Sequence, residues 1–328
     1  MIKWGIIGLG NMANHFATAI KKIDNAKLVA VASKSNVKLN KFNKDYNISK
    51  DCLFDNYKKL IESNVVDSIY ISTLNNTHIE LILECVKNSK NILCEKPMGL
   101  NINEVNMASE KIKQSKIFFN EAIAYRSHPQ TIELLKVIKG GEIGEVKRIE
   151  SSFGFKVRKV NKSSRLFNKE LGGGAILDIG CYPVSFFQLF CSKEEKLELI
   201  DVKGSHAITG VDDYAEINLL SKNNIEFYGK VSLKENFDNQ SKIYGTKGSI
   251  VVPSPWLPSK KSYLEIIKGS SYYKNFINTD SNVYTIQIKN VSNRFSNVNN
   301  EAGKLLIDIN DSVNIMKILD LWSKKIDK

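Results

Sequence analysis

The first two dozen residues constrain the fold more than any later stretch. Ile2–Ile7 is a short, mostly apolar run that ends at a glycine, and from Asn11 to Ile23 the residues Met12, Phe16, Ala19, Ile20 and Ile23 recur at helical spacing. A strand apolar on both sides is covered on both sides, which is the habit of parallel sheets. The turn joining strand and helix reads Gly8-Leu9-Gly10-Asn11-Met12-Ala13. Its first glycine permits a tight turn, its second lets the backbone approach a pyrophosphate, and Ala13 stands where a small residue lets helix and strand pack closely. N–H groups at the helix start, together with its dipole, suit phosphate. Gly8, Gly10, Asn11, Met12 and Ala13 are therefore candidate dinucleotide contacts. Out of context the same pattern also fits an ordinary strand–helix turn.

The context repeats. Leu28–Ala32, Ser68–Ser72 and Asn91–Cys94 read as further buried strands, with a helix over Thr77–Asn88. Strands alternating with helices predict a parallel sheet with right-handed crossovers, over residues 1–120. After a helix at Thr131–Lys139 the pattern changes. Lys147–Phe155, Tyr214–Leu220, Ile225–Leu233 and Ser249–Val252 alternate as antiparallel strands do, Pro253, Pro255 and Pro258 mark a surface loop, and a closing helix is expected from Ala302 to Trp322. The expected architecture is α/β: an N-terminal Rossmann domain, then an α+β domain over 121–328 with a mainly antiparallel open sheet, for substrate binding and oligomerisation.

Composition narrows the function classes. Lys and Arg exceed Asp and Glu by 47 to 35, a net charge of +12, but the lysines are scattered. The one dense basic stretch holds Lys156, Arg158, Lys159, Lys162, Arg165 and Lys169, and reads as a solvated loop or an anion-accepting lip rather than a nucleic-acid surface. Five cysteines without a Cys-x-x-Cys pair, and four isolated histidines, give no disulfide framework and no metal-ligand spacing. No metal is expected. No apolar run approaches the roughly 18 residues of a membrane span, so a cytoplasmic globular protein is expected, with no membrane and no nucleic-acid partner.

Three later segments carry chemistry. Leu93-Cys94-Glu95-Lys96-Pro97 ends a parallel strand, where ligands of open α/β sheets bind, so Glu95 and Lys96 are cofactor-side candidates. Ser72-Thr73-Leu74-Asn75-Asn76-Thr77-His78 ends another such strand and opens a helix, which adds Thr73, Leu74, Asn75 and His78. The run also fits a simple helix cap. Gly172-Gly173-Gly174 leads into a helix-like run on which Asp178 and Tyr182 are i and i+4, an acid and a phenol on one face.

In this order, Gly8-x-Gly10-x-x-Ala13, Glu95-Lys96-Pro97, Glu121-Ala122-x-x-Tyr125-Arg126-x-His128-Pro129-Gln130, Gly172–Pro183 and Tyr244–Ile250 resemble the Gfo/Idh/MocA oxidoreductases over nearly the whole chain. The Cys181-Tyr182-Pro183 ending is similar to the branch with dihydrodiol dehydrogenases, aldose 1-dehydrogenases and some nucleotide-sugar ketoreductases. Leu74 and Ser127 depart from the usual proline and aromatic; Ser127 bears on the shape of the substrate pocket. The resemblance implies hydride transfer between nicotinamide C4 and a sugar-like or polyol carbinol or its carbonyl. It assigns the proton relay to Lys96 and Tyr182, a substrate-orienting hydrogen bond to Asp178, and a cis bond before Pro97. Arg126 and His128 line the nicotinamide or substrate side in the same reading, and Arg165 the outer pocket. It also implies a homodimer, or a dimer of dimers, formed through the second domain's sheet.

Two rival functions stand beside this one. A nucleotide-sugar ketoreductase would set the basic stretch against a diphosphate. A non-catalytic dinucleotide sensor is opposed by the intact Lys96, Asp178 and Tyr182. On cofactor choice, the second strand ends in Ser33-Lys34-Ser35 with no acid until Asp45. An acid at that point would bind both ribose hydroxyls of NAD and repel a 2′-phosphate; two hydroxyls and an ammonium favour the phosphate. NADP(H) is the expected preference, with NAD(H) accepted.

Overall fold

The structure is a computed structural model that describes residues 1–192, 196–298 and 300–326. Two compact units emerge: Met1–Ser127 with Tyr284–Val313, and His128–Val283 with Asn314–Lys328.

In the first unit β1 (Ile2–Ile7), β2 (Ala26–Ala32), β3 (Leu53–Phe54), β4 (Ser68–Ile71), β5 (Asn91–Cys94) and β6 (Phe119–Glu121) form one sheet in the order β3-β2-β1-β4-β5-β6, every pair parallel. Chain order reverses between β1 and β4, which makes that point the topological switch where such sheets bind ligands. Helices α1 (Asn11–Ile20), α2 (Asn36–Tyr46), α3 (Tyr57–Glu62), α4 (His78–Lys87) and α5 (Ile102–Gln114) make the crossovers. Packing follows the expected periodicity: α1 buries Ala13, Phe16, Ala17, Ala19 and Ile20. Trp4 lies fully buried at the centre, its ring against Phe16 and Phe295 and its indole N–H donating to Ser292 Oγ at 3.1 Å. Asn101 caps α5 by accepting the Glu104 N–H at 3.1 Å, and Glu104 answers by accepting the Leu100 N–H at 3.0 Å.

The second unit contains α6 (Pro129–Lys139), β7 (Val146–Gly154), α7 (Cys181–Phe187), β8 (Glu198–His206), β9 (Asp212–Leu220), β10 (Glu226–Ser232), β11 (Gln240–Gly245), β12 (Ser249–Pro253), β13 (Lys261–Lys268) and β14 (Ser271–Asn278). Its strands run in the order β14-β13-β12-β11-β7-β10-β9-β8, antiparallel except for β7 beside β10. The core face carries Ile149, Ala215, Ile217, Leu219, Phe227 and Val231, with Phe187 of α7 stacked on Phe227 at 4.6 Å. On the other face Arg148 pairs with Glu150 at 2.6 Å and Tyr244 donates to Glu150 at 3.2 Å. Phe227 is thus a core residue, whereas Tyr228 and Lys230 line a cavity of about 450 Å³ on the opposite face with Arg148, Glu150, Phe237 and Lys242. The alternation of Ile225 and Phe227 with Lys230 and Ser232 predicts an outer face that is only partly polar, and the observed face is more polar than that.

Three further expectations are corrected. The closing helix is broken: a single turn at Ala302–Leu305 is followed by α9 at Ile309–Ile326, while α8 (Val283–Phe295) precedes both. Between the two pieces Ile307 bridges Glu121 at the end of β6, its carbonyl accepting the Glu121 N–H and the Asn120 side-chain amide at 3.0 Å each. Asp308 then restarts the helix by accepting the N–H groups of Asn310 and Asp311. The proline-rich loop is not all surface, since Pro255, Trp256 and Pro258 are buried. And the helical stretch Lys169–Phe190 is long and apolar enough by composition to cross a membrane, yet 67% of its most apolar window is buried inside the protein. Its apolarity belongs to the core.

Candidate active site

In the first unit the glycine turn has the shape its sequence calls for. Gly8 adopts φ +85°, and a Cβ there would stand 2.8 Å from both Ser72 O and Thr73 Cγ2. A side chain at Gly8 would therefore be excluded twice over, by conformation and by space. A Cβ on Gly10 would meet no atom within 4 Å, so the backbone there faces open space, and no side chain caps α1. A cradle closed on the protein side and open in front of a helix N-terminus fits a dinucleotide pyrophosphate. Asn11 is exposed beside it, Met12 half-buried and Ala13 buried. At the end of β2, Ser33 is buried with its Oγ accepting the Ser35 N–H at 3.1 Å, and the exposed Lys34 ammonium lies 5.6 Å from the centre of the Tyr57 ring.

The loops after β4 and β5 are tied together beneath the surface. His78, wholly buried, has Nδ1 2.9 Å from Pro97 O and Nε2 3.3 Å from Thr73 O. Burial, and more weakly the Lys96 charge, hold this imidazole below its usual range, so it is neutral and donates through one nitrogen only. Its role in this unit is to fasten the Thr73 loop to the Lys96–Pro97 loop. Thr77 Oγ1 donates to Thr73 Oγ1 at 2.7 Å; Leu74 is exposed and Asn75 buried. The Lys96–Pro97 bond is cis. Glu95 accepts a hydrogen bond from the buried Tyr70 hydroxyl. Behind the lysine loop lies Glu121, 2% exposed, whose Oε1 accepts the Met98 N–H at 2.9 Å. Burial pushes this carboxyl up to about 7 against the opposing pull of Ser312, the Met98 N–H and Lys96. Arg126 is also buried here and donates from Nε to Leu305 O at 3.2 Å.

In the second unit Asp178 and Tyr182 sit on one continuous helical run. Ile176–Gly180 is a π-helical turn, the wider i→i+5 geometry that often marks functional sites, and it flows into α7. Asp178 is buried, and its Oδ1 takes the Arg165 Nη1 at 2.7 Å while Arg165 remains half exposed. Tyr182 is half-buried among aromatics, edge-on to Phe153 at 5.2 Å and tilted against Trp256 at 6.0 Å. Trp256 is fixed in turn by donating its indole N–H to Ser152 O at 2.9 Å. His128 caps α6, its Nδ1 accepting the Gln130 N–H at 3.1 Å, and burial holds it down to about 4. Its Nε2 is buried without a hydrogen-bond partner among the described residues.

The sequence thus points to Lys96, Asp178 and Tyr182 but not to their supports. Glu121 stands in a quoted motif without a role, and Trp256 had one signal, a tryptophan lodged among prolines where solvent-exposed loops rarely place one.

Residues 2–121 match the family described as oxidoreductases with an NAD-binding Rossmann fold, and residues 131–251 match the GFO/IDH/MocA C-terminal domain. The chain belongs to the Gfo/Idh/MocA family. It is an NAD(P)-dependent oxidoreductase, as the glycine cradle and the family together state. The trans-1,2-dihydrobenzene-1,2-diol dehydrogenase of Xenopus tropicalis is 34% identical over 260 residues, 78% of this chain and 77% of that protein. The Homo sapiens protein of the same name is 28% identical over 271 residues, 82% of this chain and 78% of its own length. Among solved structures, an aldose-aldose oxidoreductase from Caulobacter crescentus complexed with glycerol superposes with a TM-score of 0.89 at 18% identity, covering 99% of this chain and 97% of that one. A 3-ketoreductase from Actinomadura kijaniata, in complex with NADP and TDP-benzene, gives 0.86 at 18% identity, with 97% and 96% covered.

Proposed function

We propose that this protein oxidises one carbinol of a vicinal diol or sugar-like polyol, or reduces the matching carbonyl, with Lys96 and Tyr182 moving the proton at the reacting oxygen. The carrying observation is the Asp178–Tyr182 pair: an acid anchored by Arg165 and a phenol held by Phe153 and Trp256, one helical turn apart. A bound nicotinamide supplies the carbon that accepts or gives hydride. Tyr182 supplies or takes the proton. A tyrosine titrates near 10, so it works near neutrality only with its phenolate stabilised, and the Lys96 ammonium is the group that does so by charge and hydrogen bond. Asp178 accepts a hydrogen bond from the neighbouring substrate hydroxyl and so fixes which carbon reacts. The dihydrodiol dehydrogenase relatives and the glycerol complex of the aldose-aldose oxidoreductase both involve neighbouring hydroxyls, which supports this substrate class.

NADP(H) is the preferred cofactor in this reading, because Ser33 and Lys34 follow β2 where an acid would select NAD, and the related 3-ketoreductase was crystallised with NADP. The protein works in the cytoplasm as a homodimer or dimer of dimers through the open face of the second unit's sheet, without nucleic acid or membrane partners. A nucleotide-sugar ketoreductase is the second reading. It is favoured by Lys156, Arg158, Lys159, Lys162 and Lys169, none of which has an ion pair to an acid among the described residues. The deciding experiment follows nicotinamide absorbance with the purified protein against dihydrodiols, polyols, aldoses and nucleotide-linked keto sugars. Turnover of a neutral diol or polyol supports the first reading, turnover confined to nucleotide-linked sugars the second, and none with any substrate class defeats both.

A further inference from the structure

Asp178 and Tyr182 can act only if the turn that carries them is held in place, and nothing within the turn holds its start. Ala175, which opens the π-turn, makes no side-chain cap. Three glycines, Gly172-Gly173-Gly174, precede it, and their N–H groups bond back to Lys169 O, Asn168 O and Leu166 O in the loop before the turn, not to the turn itself. The missing cap comes from another element. Asp212, the first residue of β9, directs its carboxylate into the turn, and Oδ2 accepts the Ile176 N–H at 2.7 Å. Burial raises this carboxyl from 3.8 to about 6, against the N–H groups of Ile176, Asp212 itself and Ala175 and the nearby His206, which favour its charged form.

The opposite side of the same carboxylate explains Gly174. That residue has φ +112°, and a Cβ on it would stand 2.2 Å from Asp212 Oδ1 and 3.0 Å from Cγ. The glycine is required by its backbone and again by the carboxylate packed on its Cα. From this clamp the turn is built directly, since the Asp178 N–H bonds to Gly174 O at 3.1 Å. The charge-assisted bond at the turn's start, the close approach at Gly174 and the bond that closes on Asp178 form one chain of contacts.

We propose that Asp212 is a positioning residue for the reaction: its carboxylate caps the turn that presents Asp178 and Tyr182 and sets their place at the substrate. This rests on the reading that those two side chains meet the substrate. Misplacing a reacting group by about 1 Å can cost on the order of 10²-fold in rate, so a cap that fixes the turn acts on kcat without touching substrate.

The test uses the full chain with saturating dinucleotide and compares Asp212→Ala, Asp212→Asn, Tyr182→Phe and the combined variants. Asp212→Ala lowers kcat by roughly 10- to 100-fold while the dissociation constant for NADPH stays unchanged, since the dinucleotide cradle belongs to the first unit. Asp212→Asn keeps one acceptor oxygen but turns an amide donor toward the remaining N–H groups, and gives an intermediate loss. In a Tyr182→Phe background the Asp212→Ala cost falls to about 3-fold or less, because most of what the clamp positions is already gone. A merely structural role would leave that cost undiminished. Wild-type kcat in Asp212→Ala, or an undiminished loss without the Tyr182 hydroxyl, overturns the inference. If Asp212→Ala does not fold, Asp212→Asn is read in the same cycle by the same two criteria. Near-normal turnover in Tyr182→Phe alone overturns instead the reading beneath it, so the two failures are told apart.

Discussion

The two units hold their chemistry by different means. In the first, the candidate groups stand just beyond the ends of parallel strands, on loops or on the first turn of the helix that follows, and the loops are fastened from below. His78, at the start of α4, ties its own loop to the Pro97 carbonyl 2.9 Å away, and Glu121 takes the Met98 N–H. In the second, Asp178 and Tyr182 stand on a helix, and they are restrained from the side by Arg165, Phe153 and Trp256. A parallel sheet brings all its strand ends to one edge, so a few buried polar groups can brace several loops at once. A helix laid on a mixed sheet presents one face and must be fixed in rotation and translation by its neighbours. The first arrangement gives a generic dinucleotide cradle. The second gives a wall beside Tyr182 whose shape depends on bulky side chains.

That contrast can be broken most forcefully at Trp256. Truncating a wholly buried tryptophan removes the wall beside Tyr182 and its hydrogen bond to Ser152, and Trp256→Ala should destabilise the protein by about 3–5 kcal/mol. Thermal unfolding measures this, and a change below about 1 kcal/mol would show the second unit is not braced from the side. Next in size is Lys96→Ala, which should lower turnover by roughly 10²-fold, about 2.7 kcal/mol, with the fold intact by circular dichroism. Full activity there would leave the first unit's loop with no chemical role. Smaller again is Lys34→Ala, expected to weaken NADPH by roughly 10-fold and to leave NADH nearly unchanged, as read by fluorescence titration at low salt. Equal losses for both cofactors would remove the 2′-phosphate from the account.

A further effect sharpens the comparison through pH. Glu121 has its folded value raised from 4.5 to about 7, with burial as the chief cause. Between those two values the unfolded chain has released this proton and the folded chain still holds it, so stability falls as pH rises from about 4.5 to 7 and levels off above. Glu121→Gln carries no such proton and should flatten that part of the melting-temperature profile. An unchanged slope would mean that the carboxyl behind Lys96 ionises as an exposed one does.

How much could be read from the sequence follows the same division. β1, β2, β4 and β5 were legible because both faces are buried, which leaves continuous apolar runs, and the glycine turn was legible because backbone approach needs glycine itself. β3 is two residues long, and β8 is exposed along most of its length, so neither leaves a period to detect. The Ala302–Trp322 stripe looked continuous because Leu305, Leu306 and Ile309 keep helical spacing. The break at Ile307 is made by pairing with Glu121, a partner far away in the chain. Asp178 and Tyr182 were visible as an i, i+4 pair. The π-turn around Asp178 was not, because its cap is Asp212 on a later strand, and no local pattern records a contact of that kind.

The central claim is that Lys96 and Tyr182 act as one proton-transfer unit, and a double-variant cycle tests it most directly. The measurement is kcat at saturating cofactor and substrate for Lys96→Ala, Tyr182→Phe and the pair together. Groups that act as a unit are strongly non-additive, so each single variant should lose roughly 10²-fold and the double variant little more. Losses that multiply to roughly 10⁴-fold, or a Tyr182→Phe enzyme that turns over at nearly the normal rate, would contradict it.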